Sequence, residues 1–342
     1  MFRSASCVIL IAFGSAGFAQ PKAIVSKPSA NKPGEALLAH WSGEKAAQFL
    51  DGVGVNWTRE KNCGTCHTNY PYLIARPLLK PAGDGWKEVR AFFEERASNW
   101  DSGKDGSKPR WDAEVVTTAV SLALSDANTT GKLHPVTKSA LDRIWTVQRK
   151  DGAFDWLKCG WPPFEHDDYF GAVFAAVGVG MAPGEYQFHT TAKDGIDRLK
   201  GFLTSHPAPD LHHKTWLLWA STRVAGLMNE REQKKTIEEL LVKQRDDGGW
   251  CLPALGDWKR RDGTPNDPKA ESDGYATGLI VYVLRKAGLG VDDPAVKKGY
   301  YWLKSHQAET GRWFTRSLNN DKAHYLTNAG TAFAVMALKA CE

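Results

Sequence analysis

The sequence predicts an all-α protein built from paired helices. The pattern Q-x-x-x-G-x-W/F occurs three times, at 148–154, 244–250 and 307–313. Each copy follows a segment with the apolar spacing of an amphipathic helix and precedes a segment that is apolar on nearly every face. No stretch shows the strict alternation of a half-buried strand. We therefore expect helical hairpins, each with an amphipathic outer helix and a buried inner helix.

The inner helices recur about every fifty residues, the kind of period that repeat architectures show. The first outer helix is expected at 44–50. Six hairpins are about the number needed to close a ring. The predicted inner helices begin at His67, Asp112, Asp167, His212, Asp273 and His324.

The repeated residues have a structural explanation. The glycine of each copy supplies a turn that needs a positive φ or no Cβ. The aromatic residue stacks on the adjoining helix end, and the glutamine binds backbone groups that the helix end leaves unpaired.

The repeat and the buried second helices resemble the terpenoid cyclase and protein prenyltransferase superfamily, with repeats of the squalene-hopene cyclase type. The resemblance covers about residues 40–342, and it is closest in the three downstream units. It implies an α6/α6 toroid, with an inner and an outer ring of helices.

The amino terminus has the features of a secretory signal. Arg3 provides the positive charge, 8–13 the apolar segment, and 17–19 a small-x-small cleavage site. We expect a signal peptide at 1–19, a flexible linker at 20–36 and one toroid domain at 37–342. No other segment is apolar enough to span a membrane. The predicted location is periplasmic or secreted.

Charge and cysteine content set further limits. The net charge is +5, from 44 basic and 39 acidic residues, and no Lys/Arg block provides a phosphate-binding stripe. Nucleic acid is therefore excluded as a partner. Outside the signal and the pair at 63 and 66, three cysteines remain, so at most one disulfide joins two of them, and Cys159–Cys251 is the expected pair.

Cys63, Cys66 and His67 form a C-x-x-C-H motif, the attachment sequence of c-type haem. The two thiols add to the porphyrin vinyl groups, and the histidine ligates the iron. Export also suits covalent haem. We expect one haem c, with His67 as the proximal ligand.

Two alternatives for this motif remain open. Zinc needs two more ligands, and a redox dithiol is typical of a βαβ context that the sequence lacks. No methionine follows His67 within a hundred residues. The sixth iron position is therefore either open or filled by a distant histidine.

In a ring, equivalent ends of the inner helices meet at one mouth of the central cavity. His324 is the first candidate for the sixth iron ligand, because its unit adjoins the first unit when the ring closes. Arg76 is a candidate for binding a haem propionate. The titratable residues expected at the mouth with His67 are Glu114, Glu165, His166, Asp167, Asp168, His212, His213, Glu271, Asp273 and His324. The aromatic residues expected to line the cavity are Tyr70, Tyr72, Trp161, Tyr169, Trp216, Trp219, Tyr275 and Tyr325.

The resemblance also implies an acid. Cyclases of this superfamily protonate their substrate with an Asp of a D-x-D-D stretch, and the nearest match here is 165–168. By position Asp167 would be the proton donor, with Asp168 beside it. The first acid here is Glu, only one toroid domain is present, and the prenyltransferase zinc ligands are not matched.

Together these observations predict an exported haem protein that acts in electron transfer or as a haem oxidoreductase. Its partner would be a redox protein or a small molecule in the toroid cavity. Two alternatives stand beside this prediction: a cyclase-like isomerase or lyase that uses Asp167, and a binding module with a structural haem.

Overall fold

The computed structural model describes residues 23–103 and 108–342. The signal peptide predicted at 1–19 lies outside these residues. In the described part of the chain, twelve α-helices and three short 3₁₀ helices form the fold, with no strand and two isolated β-bridges. The helices are α1 (Gly43–Lys61), α2 (Asn69–Ala75), α3 (Gly83–Asn99), α4 (Asp112–Asn128), α5 (Pro135–Val147), α6 (Asp168–Met181), α7 (Thr190–Ser205), α8 (Leu211–Ser221), α9 (Glu230–Val242), α10 (Gly274–Lys286), α11 (Pro294–Ser305) and α12 (Leu326–Cys341).

The even-numbered helices form a closed inner ring. Each contacts the next, from α2 through α4, α6, α8 and α10 to α12, and α12 contacts α2 again. All seven residues of α2 and most residues of the other inner helices are buried. The predicted α6/α6 toroid and the positions of its inner helices are confirmed.

The repeat glutamines join neighbouring outer helices. Gln148 Nε2 donates to the carbonyls of Gly152 in its own turn and Gly195 in α7. Gln244 does the same between its turn and α11. Gln307 donates to the carbonyl of Ser42, which caps α1, so the last repeat closes the outer ring. The glutamines bind backbone groups, as predicted, but their second acceptors Gly195 and Ala295 lie within the next outer helix and not at an unpaired helix end.

The segment before α1 lies against the ring. Of the predicted linker 20–36, residues 23–36 are described, and Arg312 binds this segment through the carbonyls of Ser29 and Ala30 and the carboxylate of Glu35. The amide of Leu38 donates to Gln307 O. We call residues 23–41 the strap.

Two other expectations concern membranes and cysteines. Among the described residues, no helix combines the length and apolarity needed to cross a bilayer.

The expected Cys159–Cys251 disulfide is wrong, because both thiols are free. Cys251 is buried and donates to the carbonyl of Pro268, whereas Cys159 is exposed.

Candidate functional site

The amino-terminal ends of the inner helices meet at one mouth of the ring. Asp112 is the first residue of α4, and Asp167 and Asp168 lie at the start of α6. His67 precedes α2, and His324 precedes α12. The mouth therefore brings together residues from every hairpin, as the sequence predicted.

Asp167 is an ionised carboxylate at this mouth. One of its oxygens accepts the amide of Phe170 and caps α6, and the other lies 3.1 Å from Nε2 of His213. Burial opposes ionisation, but the contact with His213 holds the pKa of Asp167 below its ordinary value. A lowered pKa suits a base or a charge stabiliser better than a proton donor.

His213 lies between two carboxylates. Its Nδ1 is 2.7 Å from Oδ1 of Asp210, the residue that caps α8. Burial lowers the pKa of His213, yet the close carboxylate of Asp167 and the hydrogen bond to Asp210 raise it to about 9. His213 is thus a cation that joins the starts of two inner helices.

His212 is not suited to bind a metal ion. Asp210, His212 and His213 bring ligand atoms within 4.8 Å of one another. However, Trp216 Nε1 donates to His212 Nε2, so the proton of the neutral imidazole lies on Nδ1 and leaves no lone pair there. No comparably close His/Cys/Asp/Glu group in the described residues includes Cys63 or Cys66, which argues against zinc at the motif.

Asp168 is held by two cations. Its Oδ2 accepts from Arg149 at 2.8 Å and from Lys158 at 3.1 Å, and its Oδ1 accepts the amide of Trp156. Although burial raises the pKa of Asp168, these contacts leave it below the ordinary value. The group therefore stays ionised well into the acid range.

Asp112 is a mouth carboxyl that the sequence analysis did not select. Partial burial and the negative charge of Asp155 raise its pKa. Asp155 in turn contacts Arg149, which binds Asp168, so Asp112 and Asp168 belong to one charged network. The available signal was the position of Asp112 at the start of an inner helix. Its proton affinity depends on a neighbour 43 positions along the chain, a contact that only the fold provides.

A cavity of about 150 Å³ opens on the other side of the mouth. Burial raises the pKa of Glu165, which lies in this cavity. The ring of Tyr325 stacks on that of His67, with centroids 4.9 Å apart. Burial lowers the pKa of His67 to about 3. The lining residues are His67, Trp161, Pro162, Phe164, Glu165, Ser317, Ala323, Tyr325 and Leu326.

Cys63 and Cys66 lie in the loop between α1 and α2, and both thiols are free. Arg76 lies at the opposite end of α2, where it pairs with Asp51 and donates to the carbonyls of Leu79 and Pro81. The structure therefore does not bring Arg76 to the motif, and its contact with a propionate stays a prediction.

His324 lies near His67 but not in the same cavity. Its Nδ1 accepts the amide of Ser317, and its ring lines a second cavity of about 260 Å³ beneath the strap. Tyr325 and Ala323 line both cavities. His324 as the sixth iron ligand stays a prediction.

Other predicted mouth residues have structural partners. Glu114 pairs with Arg96 and accepts the amide of Arg110. Asp273 caps α10, and burial raises its pKa to about 6. His166 is exposed.

The expected aromatic lining is present in part. A small apolar cavity of about 30 Å³ at the centre of the ring is lined by Tyr70, Trp216 and Trp219 of the predicted set. Trp161 and Tyr325 line the cavity at the mouth instead. Tyr72 is buried against Asp51, to which its hydroxyl donates.

Comparisons with known proteins confirm the fold. No family model matches the sequence, and no curated protein matches it. Among solved structures, the chain is similar to a possible member of the GH105 family from Klebsiella pneumoniae subsp. pneumoniae MGH 78578 and to a variant of UGL with dGlcA-Glc-Rha-Glc. Each is 12% identical to this chain, with a TM-score of 0.51. Both matches cover 87% of this chain; they cover 91% of the Klebsiella protein and 96% of the UGL variant. At this identity the likeness shows the fold, an α6/α6 toroid related to that of terpenoid cyclases.

The predicted function is corrected by the same finding. The structures that share this fold are named for GH105 and for a protein with an oligosaccharide. This finding contradicts the predicted electron transfer or haem oxidoreductase activity and does not support the two alternatives given with it. The comparisons do not test whether Cys63 and Cys66 carry haem.

Proposed function

We propose that this chain is a carbohydrate-processing enzyme that cleaves a glycosidic bond by acid–base chemistry at the mouth of the ring. The observation that carries the proposal is the pair Asp112 and Asp168, whose environments shift their pKa values in opposite directions. The fold supports it, since UGL, one of the similar structures, is named with an oligosaccharide.

Asp112 is the proposed proton donor. Its raised pKa keeps a proton on the carboxyl to a higher pH than an ordinary Asp does, and that proton would pass to the glycosidic oxygen as the bond breaks. Asp168 cannot supply this proton, because it is ionised.

Asp168 is the proposed ionised partner. Arg149 and Lys158 fix its position, and its negative charge would stabilise the positive charge that develops on the sugar ring or activate the attacking water. Asp167, ionised beside His213, adds a second negative charge on the same helix end.

Trp111 is the proposed sugar-binding platform. It directly precedes Asp112 and is 56% exposed, although large aromatic side chains are usually buried. An exposed indole offers a flat apolar face to a sugar ring next to the proton donor.

The first prediction tests the proton donor. Asp112→Asn removes the acid with little change in shape, so cleavage of oligosaccharides and aryl glycosides should fall about 10²–10⁴-fold. The assay is a panel of such substrates followed by product chromatography. Asp84→Asn, an exposed carboxylate on outer helix α3, is the matched control and should keep full activity. Full activity in Asp112→Asn, or a wild-type chain that cleaves no member of the panel, would contradict the proposal.

The second prediction concerns pH. Asp155→Asn removes the negative charge that raises the pKa of Asp112. Because the active form has Asp112 protonated, the alkaline limb of the activity profile should move to lower pH. An unchanged limb in Asp155→Asn would show that another group holds the proton.

We also propose that the chain is exported, as the pattern at 1–19 indicates. The supporting observation is the signal sequence itself. Amino-terminal sequencing of the exported protein should begin at Gln20, and a full-length chain that stays inside the cell with Met1 intact would contradict the proposal.

A further inference from the structure

We propose that Cys63 and Cys66 are the covalent attachment site of one haem and that Nε2 of His67 binds its iron. This inference does not rest on the proposed function, because the Asp112–Asp168 network belongs to α4 and α6 whereas the motif lies between α1 and α2. The C-x-x-C-H spacing predicts that each of the two thiols forms a thioether bond with the haem.

The loop that carries the thiols is held in one shape. Asn69 accepts the amide of Thr65 and donates to the carbonyl of Cys63, so it spans the motif from the start of α2. A Cβ at residue 64 would overlap the ring of Tyr70, which explains the glycine between the two cysteines. The two thiols are thus presented by a fixed loop, in which Cys66 lines the small apolar cavity at the centre of the ring.

The contacts of His67 leave the correct nitrogen for iron. Nδ1 lies 2.7 Å from Oγ1 of Thr68, and that oxygen also receives Nδ2 of Asn328 at 2.9 Å. Since a hydroxyl oxygen has two lone pairs, it can accept from both groups. In the tautomer with the proton on Nδ1, Nε2 keeps its lone pair, and this is the tautomer that iron ligation requires. In metal sites, a hydrogen bond from the ring nitrogen that does not bind the metal orients the histidine ligand.

Space for the porphyrin depends on Tyr325. The cavity of about 150 Å³ beside His67 is too small for a haem, but Tyr325 separates it from the cavity of about 260 Å³ beneath the strap. Tyr325 is 42% exposed, and exposed side chains change rotamer easily. A haem bound to His67 therefore requires this ring to turn outward, which would join the two cavities.

The groups around the site differ from those expected from the sequence. Glu165, Trp161 and Phe164 line the cavity that His67 enters, whereas His324 lines the other one. We therefore expect Glu165, rather than His324, to be the titratable neighbour of a haem on His67.

Attachment requires no oxidant. Each thiol S–H adds across one vinyl C=C, so that a C–S bond forms and the hydrogen goes to the other vinyl carbon. The thiols must be reduced beforehand, and both are free here. Two additions consume both vinyl groups of one haem.

The test uses the full chain, expressed with its signal in a host that attaches haem c. Wild type should show haem stain on a denaturing gel, a mass increase of one haem on the intact chain, and that increase on the peptide containing residues 63–66. Cys63→Ala/Cys66→Ala should lose the covalent stain, and Cys159→Ala, the matched control at an exposed thiol, should keep it. The peptide mass keeps the test valid if the double variant fails to fold.

A second measurement distinguishes the effects of Glu165 and His324 on the bound haem. Glu165→Gln should keep the stain but shift the absorbance spectrum of the bound haem, and His324→Gln should shift it less. Wild-type chain that folds in such a host without covalent haem would overturn the proposal, and haem mapped to other cysteines would do the same. Glycoside cleavage by Asp112 is measured on the same preparations, so the two proposals fail or succeed separately.

Discussion

Single residues of the repeat bring the hairpins together. Gly311 has a φ of 93°, and a Cβ at that position would overlap the carbonyl oxygen of Lys45 in α1. Gly152 and Gly248 meet the backbones of α7 and α11 in the same way. Glycine is therefore required at these positions for two reasons: the positive φ of the turn and the close approach of the next outer helix.

Gly311→Ala should lower the free energy of unfolding by about 3 kcal/mol or more, because it combines a strained φ with a backbone clash. Gly288→Ala is the matched control. Its φ is 97°, but a Cβ there meets nothing within 4 Å, so we expect a loss of about 1 kcal/mol. Denaturant unfolding measures both. Equal losses would show that the contact with α1 contributes nothing.

The sequence predicts the positions of these residues but not the protonation of the mouth carboxylates, for one physical reason. A repeat glycine or glutamine recurs at a fixed spacing along the chain, so its pattern is visible even though its contacts reach the next outer helix. Asp167, in contrast, looked like a proton donor, although a histidine 46 positions later keeps it ionised. A pKa depends on neighbours that the fold supplies, and the sequence places none of them.

At the scale of elements, His213 holds two inner helices together. Asp167 caps α6 and Asp210 caps α8, and the charged imidazole between them joins both caps. The sequence analysis placed His213 among the titratable residues of the mouth. Its buried position between two carboxylates shows a structural ion pair instead.

This arrangement predicts a pH dependence of stability. The pKa of His213 is about 9 in the folded chain, above its ordinary value of 6.5. The stabilisation is therefore complete below about pH 6.5 and is lost as the pH rises through about 9. It amounts to about 3 kcal/mol at most. His213→Gln should flatten the fall in thermal stability over this window. His206→Gln, at an exposed histidine directly after α7, should leave that fall unchanged, and an identical fall in both variants would contradict the role of His213.

At the scale of the whole molecule, ring closure is visible in the sequence but the strap is not. The period of the hairpins and the apolar inner helices predicted the toroid, because each inner helix can bury its surface only against the next one. The segment before α1 is polar and contains prolines, which predicted a flexible linker. Several of its contacts are made by one arginine almost three hundred positions later, and no local pattern reveals them.

Arg312 should therefore control the strap. Its side chain is 1% exposed and binds Ser29, Ala30, Asn31 and Glu35. Arg312→Met keeps the apolar length but leaves Glu35 without its buried partner, a change that costs about 3–5 kcal/mol when both charges are buried. Glu35 is then expected to move into water and release the strap. Hydrogen exchange at residues 29–38 should accelerate strongly in Arg312→Met while the inner helices keep their protection. Arg316→Met, an exposed arginine paired with Asp321, is the matched control. If exchange in the strap is equally slow in both variants, the strap is held by its other contacts with α12 and with the turn at 307–311.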